Sequence, residues 1–125
     1  MDTAFLVDAE RHARDLDAVI GDDDDVAIAA VTAAELLVGV LLATERHRPA
    51  RQAFVDEVLD VLPVLSYDAG VAEAHAALLA ATRQAGRPRG AHDLIIAATA
   101  RATGRLVVTA DPRGFADLPQ VELAD

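Results

Sequence analysis

Four carboxylates scattered along this chain stand where an α/β fold would gather them. Asp111 follows the β-branched run Arg105–Thr109 by two residues, and Glu35 opens the helical stretch behind the apolar run Val26–Val31. Asp93 opens another helical stretch behind the loop GRPRG at 86–90, and Asp2 stands at the start of an amphipathic segment over residues 3–19. Parallel sheets with covering helices hold their sites beyond the carboxyl ends of the strands, so these four acids can meet on one rim. Gathered there, they repel one another, and a hard divalent cation removes the repulsion. Oxygen ligands select Mg²⁺ or Mn²⁺, and Mg²⁺ keeps several waters while taking only one or two carboxylates directly. Such an ion makes water a better nucleophile, and a second ion about 3.5–4 Å away stabilises the leaving oxygen of a phosphodiester. This chemistry needs no Ser, His or Cys nucleophile, which suits a chain without cysteine.

Each acid also has a plainer use. Thr32-Ala-Ala-Glu35 has the spacing of a capping box, in which Glu35 bonds back to the Thr32 amide. Asp93 suits a first helical turn through the macrodipole alone. Asp111 before Pro112 reads as an ordinary turn residue, and Asp2 as a helix cap or a solvated charge. The argument for chemistry rests on the set.

The elements that must position these acids alternate between strand and helix. Phe5, Leu6, Ala9, Ala13, Leu16 and Ile20 share one stripe, which predicts a helix over 3–19. Val26–Val31 reads as a buried strand and Thr32 to about Thr44 as a helix. A helix from Pro49 to about Leu59 follows, with the proline in its first turn. Pro63 interrupts a short strand at 61–65 and assigns it to an edge. Asp68–Ala85 is an Ala-rich helix closed by Gly86, and Ala91–Thr103 a helix ended by Gly104. Arg105–Thr109 is predicted as a strand, with a short one at Val121–Leu123. This order predicts parallel βαβ units with helices on both faces.

Composition narrows the function classes. At 125 residues the chain suits one domain, residues 1–125. All 11 basic residues are Arg against 21 acids, for a net charge of −10, which argues against a general nucleic-acid scaffold. An enzyme that holds cations and meets a polyanion locally stays compatible. The acidic N-terminus MDTAFLVDAERH lacks the basic start of a secretory signal. The apolar stretch Val26–Ala43 carries Glu35 near its middle, which costs a membrane span about 2.5–3.5 kcal/mol. A cytoplasmic protein without membrane association is expected.

The motifs Asp-Thr-Ala-Phe-Leu-Val-Asp at 2–8, Thr-x-x-Glu-Leu at 32–36, His-Asp-Leu-Ile-Ile-Ala-Ala at 92–98 and Val-Val-Thr-Ala-Asp-Pro-Arg-Gly-Phe at 107–115 resemble, in order and spacing, the PIN-domain ribonucleases. The resemblance is to the VapC-type toxins of bacterial toxin–antitoxin modules in particular, and it covers essentially the whole chain. It implies a three-layer α/β/α domain with a central parallel sheet. It also implies Mg²⁺-dependent endonucleolytic cleavage of RNA, homodimerisation and inhibition by a cognate antitoxin. The family's acids fall on Asp2, Glu35, Asp93 and Asp111, and its hydroxyl after the first Asp falls on Thr3, where it would orient a ligand or water. Thr109 is an accessory candidate beside Asp111.

Two departures stand out. The family carries a short apolar strand ahead of its first Asp, where only Met1 precedes Asp2 here, so the first strand is expected to be truncated. The family often has an acid directly before the Phe of the last motif, where this chain has Gly114. These departures keep open a catalytically impaired PIN-like binding module. His92 beside Asp93 keeps open an all-helical His-Asp metal phosphohydrolase, against which the strand runs speak. Arg87, Arg89 and Arg113 are candidates to hold RNA phosphates, with solvated loop charge as the plain alternative. With Phe5, Phe54, Tyr67 and Phe115 as the whole aromatic complement, a base-stacking platform is not expected.

Overall fold

In a computed structural model, which describes residues 1–11 and 26–124, short parallel strands sit between two layers of helices. Helix α1 covers Thr3–Arg11. Strand β1 is Ile28–Ala29, and α2 follows at once over Ala30–Leu41. Helix α3 is Arg48–Val61 and strand β2 is Val64–Leu65. Helix α4 spans Ala69–Ala85 and α5 spans Ala91–Thr103. A single 3-10 turn covers Pro112–Gly114. The predicted extension of α1 to residue 19 lies outside the described residues. Among those described, no helix is long and apolar enough to cross a membrane.

β1 and β2 pair in parallel, with Ile28 opposite Val64 and Ala29 opposite Leu65. The Ile28 amide donates to the Pro63 carbonyl at 3.0 Å, so Pro63 takes part as an acceptor, the one backbone role open to it. A second parallel pairing joins Val107 to Leu123, with the Val107 amide on the Glu122 carbonyl at 2.8 Å. Residues 1 and 2 connect the two pairings. The Met1 ammonium donates to the Ala27 carbonyl at 3.0 Å, and the Asp2 amide donates to the Val108 carbonyl at 3.0 Å. Burial of that ammonium lowers its pKa, against the pull of the Asp2 charge.

The strands are shorter than their β-branched runs predict. Val26–Val31 yields a two-residue strand because α2 already starts at Ala30. Arg105–Thr109 yields only the bridge at Val107. Strand propensity reflects packing on a pleated, half-buried surface, and a ladder forms only where a partner backbone runs alongside.

Alternation along β1 explains the layers. Ile28 is buried with Leu6 of α1, Leu36 and Val40 of α2, and Val55 and Val58 of α3. Ala29, the next residue, is buried with Val71 and Leu78 of α4, Leu94 and Ala97 of α5, and Phe115. Successive side chains of a strand point to opposite faces, so α1–α3 cover one face and α4–α5 the other. Residues Ile96–Ala100 of α5 are all buried, which makes it an inner helix. Its small side chains let α4 pack closely, and the Thr99 hydroxyl is satisfied by the Ile95 carbonyl at 2.8 Å. Gly86 and Gly104 end α4 and α5 in the left-handed conformation, at φ 64° and 67°, where a Cβ is costly.

Not every apolar residue is absorbed. Leu37, Val38, Leu41 and Leu42 near the end of α2 stay exposed, the last at 80 %. Arg48 finishes that helix instead, donating to the carbonyls of Val40 at 3.2 Å and Ala43 at 2.6 Å.

Candidate active site

Asp2 serves in two ways at once. Its Oδ1 accepts from the Phe5 amide at 2.9 Å, which caps α1. Its Oδ2 accepts from the Thr109 hydroxyl at 2.5 Å, across 107 positions of sequence. The carboxylate is 3 % exposed, and these charge-assisted bonds offset its burial. Thr109 Oγ1 in turn accepts from the Asp111 amide at 3.0 Å, so one hydroxyl links the first and last acids.

Glu35 is not in a capping box. Helix α2 begins at Ala30 with Ala29 as its cap, which places Thr32 inside the first turn. Thr32 is fully buried, its hydroxyl without a partner among the described residues, and Glu35 faces other elements altogether. Glu35 Oε1 accepts from the Thr3 hydroxyl at 2.9 Å, and Oε2 lies 3.5 Å from His92 Nδ1. Thr3 was expected to orient a ligand or water; its hydroxyl holds Glu35.

Asp93 sits in the first turn of α5, half-buried, and among the described residues no donor reaches its carboxylate. Its pKa is raised, first by desolvation and then by the charges of Asp2, Glu35 and Asp111, while His92 works in the opposite sense. The charges of the other three predicted acids therefore all reach Asp93. Asp111 is the outermost: its side chain is 60 % exposed and its Oδ1 lies 3.5 Å from Arg113 Nε. The acids do not form a ready-made cage. Among the described residues, no three His, Asp or Glu side chains are set to hold an ion directly.

The three arginine candidates have different surroundings. Arg113 reaches Asp111 with a side chain that is 93 % exposed. Arg87 pairs loosely with Asp117 at 3.8 Å. Arg89 is a clamp: it donates to the carbonyls of Arg87 at 2.8 Å and Ala116 at 2.9 Å, which ties the 86–90 loop to the segment after Phe115. With its guanidinium engaged by the main chain, it offers less to a phosphate than Arg113 does.

Two residues gain importance here. His92, whose place beside Asp93 keeps open a His-Asp phosphohydrolase as the lesser alternative, lies against Glu35, and the parallel strands between helical layers exclude that all-helical fold. Its place beside Asp93 was the only sequence signal for it. Gly114 packs its backbone against Asp93; its position directly before Phe115 was its signal.

Comparison with known proteins agrees with this geometry. The family model for the PIN domain matches residues 1–121. A search of curated proteins found no significant match. Among solved structures, a chain of VapBC-5 from Mycobacterium tuberculosis is similar at 33% identity, covering 98% of this chain and 93% of that one with a TM-score of 0.79. A chain of the DNA-bound VapBC complex from Salmonella typhimurium is similar at 25% identity, covering 99% and 94% with a TM-score of 0.88. A chain of the Rickettsia felis VapBC2 complex, bound to a promoter DNA fragment, shares the fold at 24% identity, covering 98% and 94% with a TM-score of 0.88. The sheet order, the rim of four acids and these likenesses agree: the chain belongs to the PIN domain family and is of the VapC type.

Proposed function

We propose that this protein is a metal-dependent endoribonuclease toxin, neutralised by a cognate antitoxin and working as a homodimer in the cytoplasm. The observation that carries the reading is Asp93. It is a half-buried carboxylate without a donor among the described residues, and the charges of Asp2, Glu35 and Asp111 reach it. Such an arrangement is unfavourable alone and favourable around a cation. The donor set is all oxygen, which suits Mg²⁺ or Mn²⁺. The lack of a closed cage suits an ion that keeps several of its waters.

Asp93, with Asp2, Glu35 and Asp111 around it, would hold the ion, partly through its waters. When bound, the ion supplies charge neutralisation and polarises both water and the scissile phosphate. Thr109 and Thr3 keep Asp2 and Glu35 from turning away, so their negative charge stays on the rim. Arg113, exposed beside Asp111, would meet the RNA backbone, with Arg87 and Arg89 as further candidates. Water attacks phosphorus in line, its hydroxyl stays on the 5′-phosphate, and the 3′-oxygen leaves with a proton. The exposed leucines of α2 support a protein partner, because apolar patches of that kind are seldom left bare.

The test is cleavage of single-stranded and transfer RNA by wild type and Asp93→Asn, with Mg²⁺ and with chelator. Cleavage that needs both the ion and Asp93 is expected. Equal rates for the two proteins would defeat the assignment. A chain that binds no divalent ion and cuts nothing would favour a silent PIN module, which the Gly for acid exchange at 114 motivates.

A further inference from the structure

The 3-10 turn Pro112–Gly114 is held down by Phe115, whose side chain is 1 % exposed in the core shared with α4 and α5. That anchor presses the backbone of residue 114 onto the start of α5. A Cβ placed on Gly114 would lie 2.7 Å from Asp93 Oδ2 and 3.4 Å from its Cγ. Carbon and oxygen do not share that distance, so with this backbone a side chain at 114 makes the flexible end of Asp93 shift. Gly90, at the cap of the same helix, also borders Asp93, but its added Cβ would stand 3.5 Å from Oδ2, an ordinary contact. Neither glycine has a positive φ, so their backbones admit alanine and the difference between them is one of space alone.

We propose that Gly114 is a positioning residue: its missing side chain is what allows the Asp93 carboxylate to stand among Asp2, Glu35 and Asp111. The Gly for acid exchange is then coupled to the rest of the site. An acid at 114 would have to move Asp93 before adding a charge of its own, and the outer charge is supplied from Asp111 instead. The consequence for ion binding rests on the metal-dependent reading of the site; the consequence for Asp93 does not.

The experiment compares wild type, Gly114→Ala and Gly90→Ala. In the metal-free proteins at one fixed pH, the side-chain carboxyl ¹³C signal of Asp93 is expected to move in Gly114→Ala and to hold still in Gly90→Ala. An unmoved signal in Gly114→Ala overturns the proposal. Calorimetric titration with Mn²⁺ alone is then expected to give affinity lowered about 10-fold or more in Gly114→Ala, the scale of losing a ligand's support. Wild-type affinity in that variant also overturns the proposal. Absence of binding by wild type sinks the metal reading while the carboxyl signal still decides the role of Gly114. Should Gly114→Ala fail to fold, the double variant Gly114→Ala/Asp93→Ala is decisive. Recovery of folding upholds the clash with Asp93, and continued failure overturns it.

Discussion

The two walls of the acidic rim are built differently. On one wall Asp2 and Glu35 are each held by a threonine hydroxyl from a distant segment, at 2.5 and 2.9 Å. On the other, Asp93 has no donor among the described residues and Asp111 faces solvent beside an exposed arginine. Hydrogen bonds to a carboxylate favour its charged form, whereas desolvation and like charges disfavour it. The first wall therefore fixes where its two carboxylates lie. On the second wall an exposed arginine borders Asp111, while Asp93 is pushed toward its neutral form by desolvation and by the neighbouring acids. The lesson is that one rim can hold some of its acids firmly and leave another without a donor among the described residues, because different segments of the fold build its two walls.

The sharpest break of this contrast is Asp93→Asn. RNA cleavage should fall about 100-fold or more, at least the upper range for disturbing a metal site's supporting groups, as read by initial rates in Mg²⁺. The same substitution should raise the melting temperature of the metal-free protein at neutral pH. The sign follows from the raised pKa of Asp93. The folded state binds this proton more tightly than the unfolded chain, so its contribution is fully present below the ordinary carboxylate range. It is lost as pH rises through the folded-state value. Above that value the charged form burdens the folded state, and Asn removes the burden. Melting curves across that range should converge at the acid end.

Next in size is Thr109→Val, which keeps the shape and removes the hydroxyl. Asp2 is buried, so an unpaired Oδ2 should cost about 1–3 kcal/mol of stability in chemical denaturation. Cleavage should drop about 10-fold as Asp2 loses its restraint. Thr3→Val should be milder, about 0.5–1.5 kcal/mol, because Glu35 is only partly buried and water can replace the lost donor. If Thr3→Val proved costlier than Thr109→Val, the ranking of the two restraints by burial would be wrong. Smallest is Arg113→Ala, on a side chain that is 93 % exposed: stability should change by no more than about 1 kcal/mol. Its effect should instead appear as a weaker dependence of RNA affinity on salt.

Much of the architecture was legible in local chemistry. Gly86 and Gly104 marked the ends of α4 and α5, Pro63 marked an outer strand, and alternating apolar runs and helical stripes spelled an α/β fold. The positions of the acids behind strand ends pointed to one rim, and the charges of Asp2, Glu35 and Asp111 do reach Asp93. Local spacing misled where two patterns competed. Thr32 and Glu35 match a capping box, yet β1 is so short that the helix starts two residues earlier and Glu35 turns to Thr3 instead. The run Arg105–Thr109 has strand composition, but only Val107 finds a partner for its ladder.

By itself, then, the sequence determined which residue types could hold a divalent cation and which elements would carry them. Those properties depend on neighbours a few positions away, through helical and strand periods and through the conformations glycine and proline allow. Only the tertiary structure decided which carboxylates are held and which are left without a donor among the described residues. Thr109 meets Asp2 and Gly114 yields room to Asp93 because separate layers of the fold close on the same rim. Contacts of that kind depend on distances in space between segments far apart in the chain, which local spacing does not encode.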